Sequence, residues 1–178
     1  MFAAKRLGKA QQHLPPGITL VKADNFQEWQ MDIRVLDDNP LYKDKIFRLN
    51  FKFGSSYPIE APEVTFLNLS PSITTTTTPS LSTSTSPSSS SSTPSIVDNG
   101  ARPVPMHPHV YSNGIICLDL LGSAGWSPVQ SVESVCMSIQ SMLTGNTKNE
   151  RPPGDEDFCR RNRSRPKDIA FVYEDSTV

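Results

Sequence analysis

The chain has 178 residues, of which 36% are hydrophobic and 20% charged, and its formal net charge at pH 7 is −1. This length and apolar content suffice for a substantial hydrophobic core, so we expect a single domain over residues 1–178. A net charge near zero gives no electrostatic reason to expect nucleic acid or a membrane surface as a partner.

The three cysteines, at positions 117, 136 and 159, form neither a disulfide framework nor a Cys-x-x-Cys metal motif. We therefore predict a reducing compartment, cytoplasmic or nuclear, and no metal site. The N-terminus lacks the apolar core of a signal peptide, and no apolar run approaches the roughly 18 residues that a membrane span requires.

Two segments carry helical signals. Residues 1–13 are rich in helix-forming Ala, Gln, Lys and Arg and end at Leu-Pro-Pro-Gly, so we predict a short, exposed N-terminal helix. Further along, apolar residues recur at three- and four-residue spacing before Gly145, the pattern of an amphipathic helix that begins near Pro128. They are Val132, Val135, Cys136, Ile139 and Leu143. Cys136 lies on this apolar stripe and is predicted to be an inert core residue.

Strand signals occur between the two helical segments. Apolar residues alternate with polar ones over residues 18–36, 46–53 and 64–67, and turn-forming residues separate these stretches. Successive strands joined by short turns indicate an antiparallel meander.

Two segments lack the pattern of packed structure. In residues 70–95, 20 of 26 positions are Ser or Thr, too polar to offset the cost of ordering the backbone, and we predict a disordered insertion over residues 70–104. Its Ser-Pro and Thr-Pro pairs are compatible with regulatory phosphorylation, and a drifted spacer or a gene-model artefact explains the tract at least as well. Residues 151–178 combine an acidic and a basic cluster, and we predict a flexible, irregular tail.

The remaining segment joins a polar loop to an apolar run that contains a cysteine. Residues 107–114 read His-Pro-His-Val-Tyr-Ser-Asn-Gly, and the last three have the composition of a tight turn with a positive φ. Cys117 follows in the apolar run and is our candidate nucleophile. The alternative is an ordinary core cysteine, since cysteine is among the most buried residue types.

Several fixed spacings around Cys117 resemble the active-site signature of ubiquitin-conjugating enzymes. His107-Pro108 stands ten positions before Cys117, and Trp126 stands nine after it. The resemblance implies an α/β (α+β) fold with an N-terminal helix, a four-stranded antiparallel meander, an active-site loop and a crossover helix.

The resemblance also implies a mechanism. The Cys117 thiolate accepts ubiquitin as a thioester from the activating enzyme, and a substrate amine then displaces Cys117. ATP is consumed by the activating enzyme, and this chain needs no bound cofactor. Most of the family has Asn at the position of His109. In this chain His109 either donates to the oxyanion or only packs in the loop. By the same resemblance His107 and Asn113 shape the loop, and Asp119 lies on the approach of the amine.

Three protein-contact surfaces follow from the resemblance. The alternatives are solvent exposure for the basic N-terminal residues and the helix face, and a hydrophobic residue in a rigid turn for Ile59. The assigned residues are Lys5 and Arg6 for the activating enzyme and ligases, Ile59, Ser127 and Pro128 for RING-type ligases, and Met137 and Ser141 for donor ubiquitin.

Two features resemble the W-type subclass, which attaches ubiquitin to N-terminal α-amino groups: the sequence His107-Pro108-His109 and the order of residues 171–178. At pH 7.4 roughly a third of an α-amino group but only about a thousandth of a lysine is neutral, so an α-amine needs less activation by an acidic residue. Here Glu150 is only a weak candidate for such an acid. We predict transfer to proteins with flexible N-termini.

Three other functions are compatible with parts of the pattern. The first is a general lysine-directed conjugating enzyme. The second is a non-catalytic, ubiquitin-binding variant of the fold, although such variants typically lack the cysteine. The third is a Cys-His hydrolase, which the placement of His107 and His109 in one rigid loop disfavours.

Overall fold

The computed structural model describes residues 14–71, 100–169 and 171. The predicted N-terminal helix with Lys5 and Arg6, most of the Ser/Thr-rich insertion and the end of the tail lie outside these ranges.

Four strands form one antiparallel sheet in chain order. They are β1 (Ile18–Lys22), β2 (Glu28–Ile33), β3 (Phe47–Lys52) and β4 (Glu63–Leu67). The predicted meander is thus confirmed, although residues 18–36 contain two strands. The Asn25 side-chain oxygen accepts the N–H groups of Gln27 and Glu28 at 3.0 and 2.8 Å, which turns the chain between them.

The longer helix, α1 (Val132–Thr144), packs its apolar stripe on the inner face of the sheet. All five predicted stripe residues are buried, together with sheet residues such as Trp29, Leu49 and Phe66. The Ser131 hydroxyl oxygen accepts the Ser134 N–H, and the Ser134 hydroxyl oxygen accepts the Ser131 N–H, so the helix begins with a capping box. The predicted amphipathic helix is confirmed.

The Ser/Thr-rich insertion leaves and re-enters the fold at adjacent points. Leu69 and Arg102 exchange two backbone hydrogen bonds of 2.8 and 2.9 Å. Arg102 is only 5% exposed, and its guanidinium binds Asp32, which also binds Arg48. Residues 100–104, which composition assigned to the insertion, therefore belong to the folded domain.

The C-terminal segment differs from the predicted irregular tail. It contains α2 (Asp155–Arg161) and a 3-10 turn over Pro166–Asp168. The acidic residues at the start of α2 and the basic ones at its end complement the helix dipole, and the Phe158 ring stacks on Tyr111 at 3.9 Å. Among the described residues, no helix has the length and apolar character needed to cross a membrane.

Candidate active site

Cys117 lies on the second arm of a short hairpin that carries most of the predicted site. Its N–H donates to the His109 carbonyl at 2.8 Å, and the Tyr111 N–H donates to the Ile115 carbonyl at 2.9 Å. Val110 and Ile116 pair between these bonds and are buried. Alternation along the arms therefore leaves His109, which is exposed, and Cys117, which is half-buried, opposite each other on the accessible side.

A tight turn closes the hairpin and fixes it to the sheet. The Gly114 N–H donates to the Tyr111 carbonyl at 2.9 Å, while the Gly114 carbonyl accepts the Phe66 N–H from β4 at 2.8 Å. Gly114 has φ 87°, and an added Cβ would lie 2.1 Å from the Phe66 oxygen. The predicted positive-φ turn is confirmed. The Asn113 side-chain oxygen accepts the Ile115 N–H at 3.1 Å, a contact that shapes the turn.

His107 is buried behind the hairpin with both ring nitrogens engaged. Its Nδ1 accepts the His109 N–H at 2.9 Å, so the proton resides on Nε2, which faces the Met142 carbonyl of α1 at 3.3 Å. Burial, reinforced by the charge of His109, lowers the pKa of His107 to about 4. His107 therefore links the loop to α1 as a neutral ring, and it has no free nitrogen with which to serve as the base of a Cys-His hydrolase.

The other two cysteines lie in different surroundings from Cys117. Cys136 is fully buried in α1, and burial raises the pKa of its thiol, which suits the predicted inert core role. A flexible tail would place Cys159 away from the site, but Cys159 lies close to the turn of the hairpin. Its Sγ lies 3.3 Å from the Ser112 hydroxyl oxygen, because α2 packs against the turn. No cluster of three His, Cys, Asp or Glu side chains suited to a metal occurs in the described part of the chain.

The predicted ligase-contact residues lie on two loops that the structure joins. The Trp126 indole N–H donates to the Pro58 carbonyl at 2.9 Å, which connects the loop of residues 57–62 to that of Ser127 and Pro128. Ile59 is 77% exposed at the tip of the first loop. The predicted ligase-contact residues therefore lie on two neighbouring loops.

The predicted donor-ubiquitin residues Met137 and Ser141 are exposed on α1. Gln140 between them is engaged, since its side-chain amide donates to the Pro16 and Arg34 carbonyls at 3.1 and 2.7 Å. Asp119 is exposed in a 3-10 turn, Asp119–Leu121, directly after the cysteine arm.

Arg151, to which the sequence assigns no role, contacts the backbone around the site. Its guanidinium donates to three carbonyls, two in the loop that precedes the hairpin and one in the first arm of the hairpin. The acceptors are backbone oxygens of Val104, Pro105 and Val110. No side-chain pattern marks such acceptors in a sequence, so only the structure reveals this contact.

A family model described as ubiquitin-conjugating enzyme matches residues 3–172. A relative named probable ubiquitin-conjugating enzyme E2 W, from Dictyostelium discoideum, is 35% identical, with 98% of this chain and 97% of the relative covered. A probable ubiquitin-conjugating enzyme E2 W-A from Danio rerio is 32% identical, with 97% of this chain and 93% of the relative covered.

Solved structures agree with the sequence relatives. The crystal structure of ubiquitin conjugating enzyme E2 UbcA1 from Agrocybe aegerita matches with a TM-score of 0.69 and 36% identity, covering 92% of this chain and 94% of that one. A ubiquitin conjugating enzyme E2 from Plasmodium falciparum matches with a TM-score of 0.57 and 25% identity, covering 82% and 98% of the two chains. The fold class predicted from the sequence is confirmed, and the chain belongs to the ubiquitin-conjugating enzymes, the family of thioester-forming ubiquitin transferases.

Proposed function

We propose that this chain accepts ubiquitin as a thioester on Cys117 and transfers it to the N-terminal α-amino groups of proteins. The observation that carries the proposal is the 2.8 Å hydrogen bond from the Cys117 N–H to the His109 carbonyl, which holds the two residues opposite each other. Family membership supplies the general partners, which are ubiquitin, its ATP-using activating enzyme and ubiquitin ligases. Proteins with flexible N-termini, in the cytoplasm or nucleus, complete the proposal as substrates.

The reaction consists of two acyl transfers at the same sulfur. In the first, the Cys117 thiolate attacks the carbonyl carbon of the ubiquitin thioester and the thiolate of the activating enzyme leaves. In the second, a neutral amine attacks the Cys117 thioester, an amide forms, and the Cys117 thiolate leaves while the amine proton passes to solvent.

Both steps place negative charge on the ubiquitin carbonyl oxygen. The Cys117 N–H already donates to the His109 carbonyl, so it is not the natural donor to this oxyanion. The exposed His109 ring on the same side of the hairpin is the donor that we propose. One such donor is worth about 3 kcal/mol in other acyl-transfer enzymes.

The ion pair of Glu150 supports an α-amine as acceptor. Glu150, the sequence candidate for activating a lysine, is exposed, and its carboxylate lies 3.8 Å from the Lys148 ammonium, which offsets its charge. An α-amine is already about one-third neutral at pH 7.4, so it reacts without such help.

Single-turnover discharge from the charged enzyme tests the acceptor. A lysine-free peptide with a free, flexible N-terminus should discharge the thioester, whereas the N-acetylated peptide and free lysine should do so poorly. Equal discharge onto free lysine and onto the lysine-free peptide would instead indicate a general lysine-directed enzyme, with Cys117 retained as the nucleophile.

A further inference from the structure

Arg151 contacts the active-site segment on both sides of its two histidines. Its Nη1 donates to the Pro105 carbonyl at 2.5 Å and to the Val110 carbonyl at 3.0 Å, and its Nη2 donates to the Val104 carbonyl at 3.2 Å. Val104 and Pro105 precede residues 107–109, and Val110 follows them. A single planar guanidinium therefore fixes both ends of the segment that carries His109.

The segment needs this side chain because its own backbone provides few donors. The prolines at positions 103, 105 and 108 have no N–H to donate. Pro105 and Val110 are buried, so the carbonyls of these two residues need hydrogen-bond donors from elsewhere in the chain. Arginine presents several N–H groups in a rigid fork, and lysine has only a compact ammonium that does not reproduce the three directions.

The Val110 contact connects Arg151 to the thiol. The Val110 carbonyl that Arg151 binds follows directly after His109, and the His109 carbonyl in turn accepts the Cys117 N–H. A shift of Val110 therefore moves His109 relative to Cys117. Asp155 reinforces the arrangement, since its carboxylate accepts the Ser112 N–H at 2.8 Å and its charge interacts with Arg151.

We propose that Arg151 is a positioning residue for ubiquitin transfer: it sets the placement of His109 opposite Cys117 in the hairpin without touching either reacting group. The proposal rests on the proposed function of Cys117 and His109. Misplacement of a reacting group by about 1 Å costs on the order of 100-fold in rate, so the loss should be large in the transfer step.

The test compares Arg151→Met, which keeps bulk but removes every donor, with Arg151→Lys, which keeps the charge. The matched control is Arg160→Met, an exposed arginine on α2 that does not contact the loop. Single-turnover discharge onto an α-amine peptide, measured over a range of peptide concentrations, should fall about 10- to 100-fold in maximal rate for Arg151→Met, with the half-saturating concentration unchanged. Arg151→Lys should fall between Arg151→Met and wild type, and Arg160→Met should behave as wild type.

A double-mutant cycle with His109→Ala separates positioning from a purely structural role. If Arg151 acts through His109, Arg151→Met should cost little further rate in the His109→Ala background. The proposal would be overturned if the rate losses of the two single variants multiplied in the double variant. It would also be overturned if Arg151→Met or His109→Ala alone discharged like wild type.

Stability and loading are measured in parallel. A general folding defect would lower the Tm, the charging by activating enzyme and the discharge together, and that result would also overturn a positioning role. Should Arg151→Met fail to fold, the cycle is run with Arg151→Lys. A wild-type chain that forms no thioester would refute the proposed function itself, whereas a wild type that discharges normally alongside an unaffected variant refutes only the role of Arg151.

Discussion

His107 contributes to the site through two hydrogen bonds that require a neutral ring. Its Nδ1 must be unprotonated to accept the His109 N–H, and its Nε2–H faces the Met142 carbonyl. Protonation would place a second N–H against the His109 N–H in a site that is only 4% exposed. The loop geometry therefore depends on His107 remaining uncharged.

This requirement predicts a pH dependence of stability. The pKa of His107 is lowered from 6.5 to about 4 in the fold, so between these pH values the unfolded chain binds more protons than the folded one. The His107 contribution is present above pH 6.5 and is lost as the pH falls towards 4, by about 3 kcal/mol in total. Urea unfolding from pH 7.5 to 4 should show this decrease for wild type, and the difference between wild type and His107→Asn should shrink over the same range. A pH-independent difference would contradict the assignment.

Gly114 lies in a conformation and against a neighbour that leave no room for a side chain. Gly114→Ala should destabilise the fold by about 1–3 kcal/mol or more, because the residue has φ 87° and the new Cβ would lie 2.1 Å from the Phe66 carbonyl oxygen. The matched control is Gly54→Ala, where an added Cβ meets nothing within 4 Å. Urea midpoints measure both variants, and equal midpoints would contradict the account of the turn.

At the scale of elements, α2 supports the turn of the active-site hairpin. Phe158 stacks on Tyr111, Asp155 accepts the Ser112 N–H, and burial together with the charges of Cys117, Asp155 and Cys159 raises the pKa of Tyr111. The helix α2 therefore packs against the site and contributes to its structure.

Removing the Phe158 ring should loosen the turn. Phe158→Ala removes the stack on Tyr111, worth about 0.5–1.5 kcal/mol beyond the buried area, and should speed hydrogen exchange of the Ser112 amide. The exposed Glu156→Gln on the same helix is the control and should leave that amide unchanged. Equal exchange rates in Phe158→Ala and wild type would show that the Phe158 stack does not support the turn.

The elements that could be predicted from the sequence are those whose own side chains define a period. Apolar residues two apart in β2 and three or four apart in α1 identified the sheet and the longer helix. The break at Asn25 was missed because alternation resumes beyond it. The helix α2 was missed because seven residues with one large apolar side chain, Phe158, define no stripe. Its partner Tyr111 lies more than forty residues earlier, and no local pattern connects the two.

The candidate site divides in the same way. Residue types and spacings predict Cys117 and both histidines as candidate site residues, and they predict the glycine turn that the structure contains. The fixed tautomer of His107 and the contacts of Arg151 depend on backbone carbonyls, at Met142 and along residues 104–110, that are chemically alike at every position. Tertiary packing determines which of these carbonyls His107 and Arg151 contact.

At the scale of the molecule, a short sheet and one packed helix present the cysteine hairpin and the two joined loops on which the predicted ligase-contact residues lie. The pairing of Leu69 with Arg102 closes the base of the Ser/Thr-rich insertion, so the chain accommodates it without opening the sheet. The proposed function depends on Cys117 being the residue that carries ubiquitin.

That claim is tested by incubating the chain with activating enzyme, ubiquitin and ATP and resolving the products with and without reductant. Wild type, Cys136→Ala and Cys159→Ala should each form one adduct that reductant cleaves. Cys117→Ser should form a reductant-stable ester, and Cys117→Ala should form none. An undiminished, reductant-sensitive adduct on Cys117→Ala would contradict the role of Cys117 as the nucleophile.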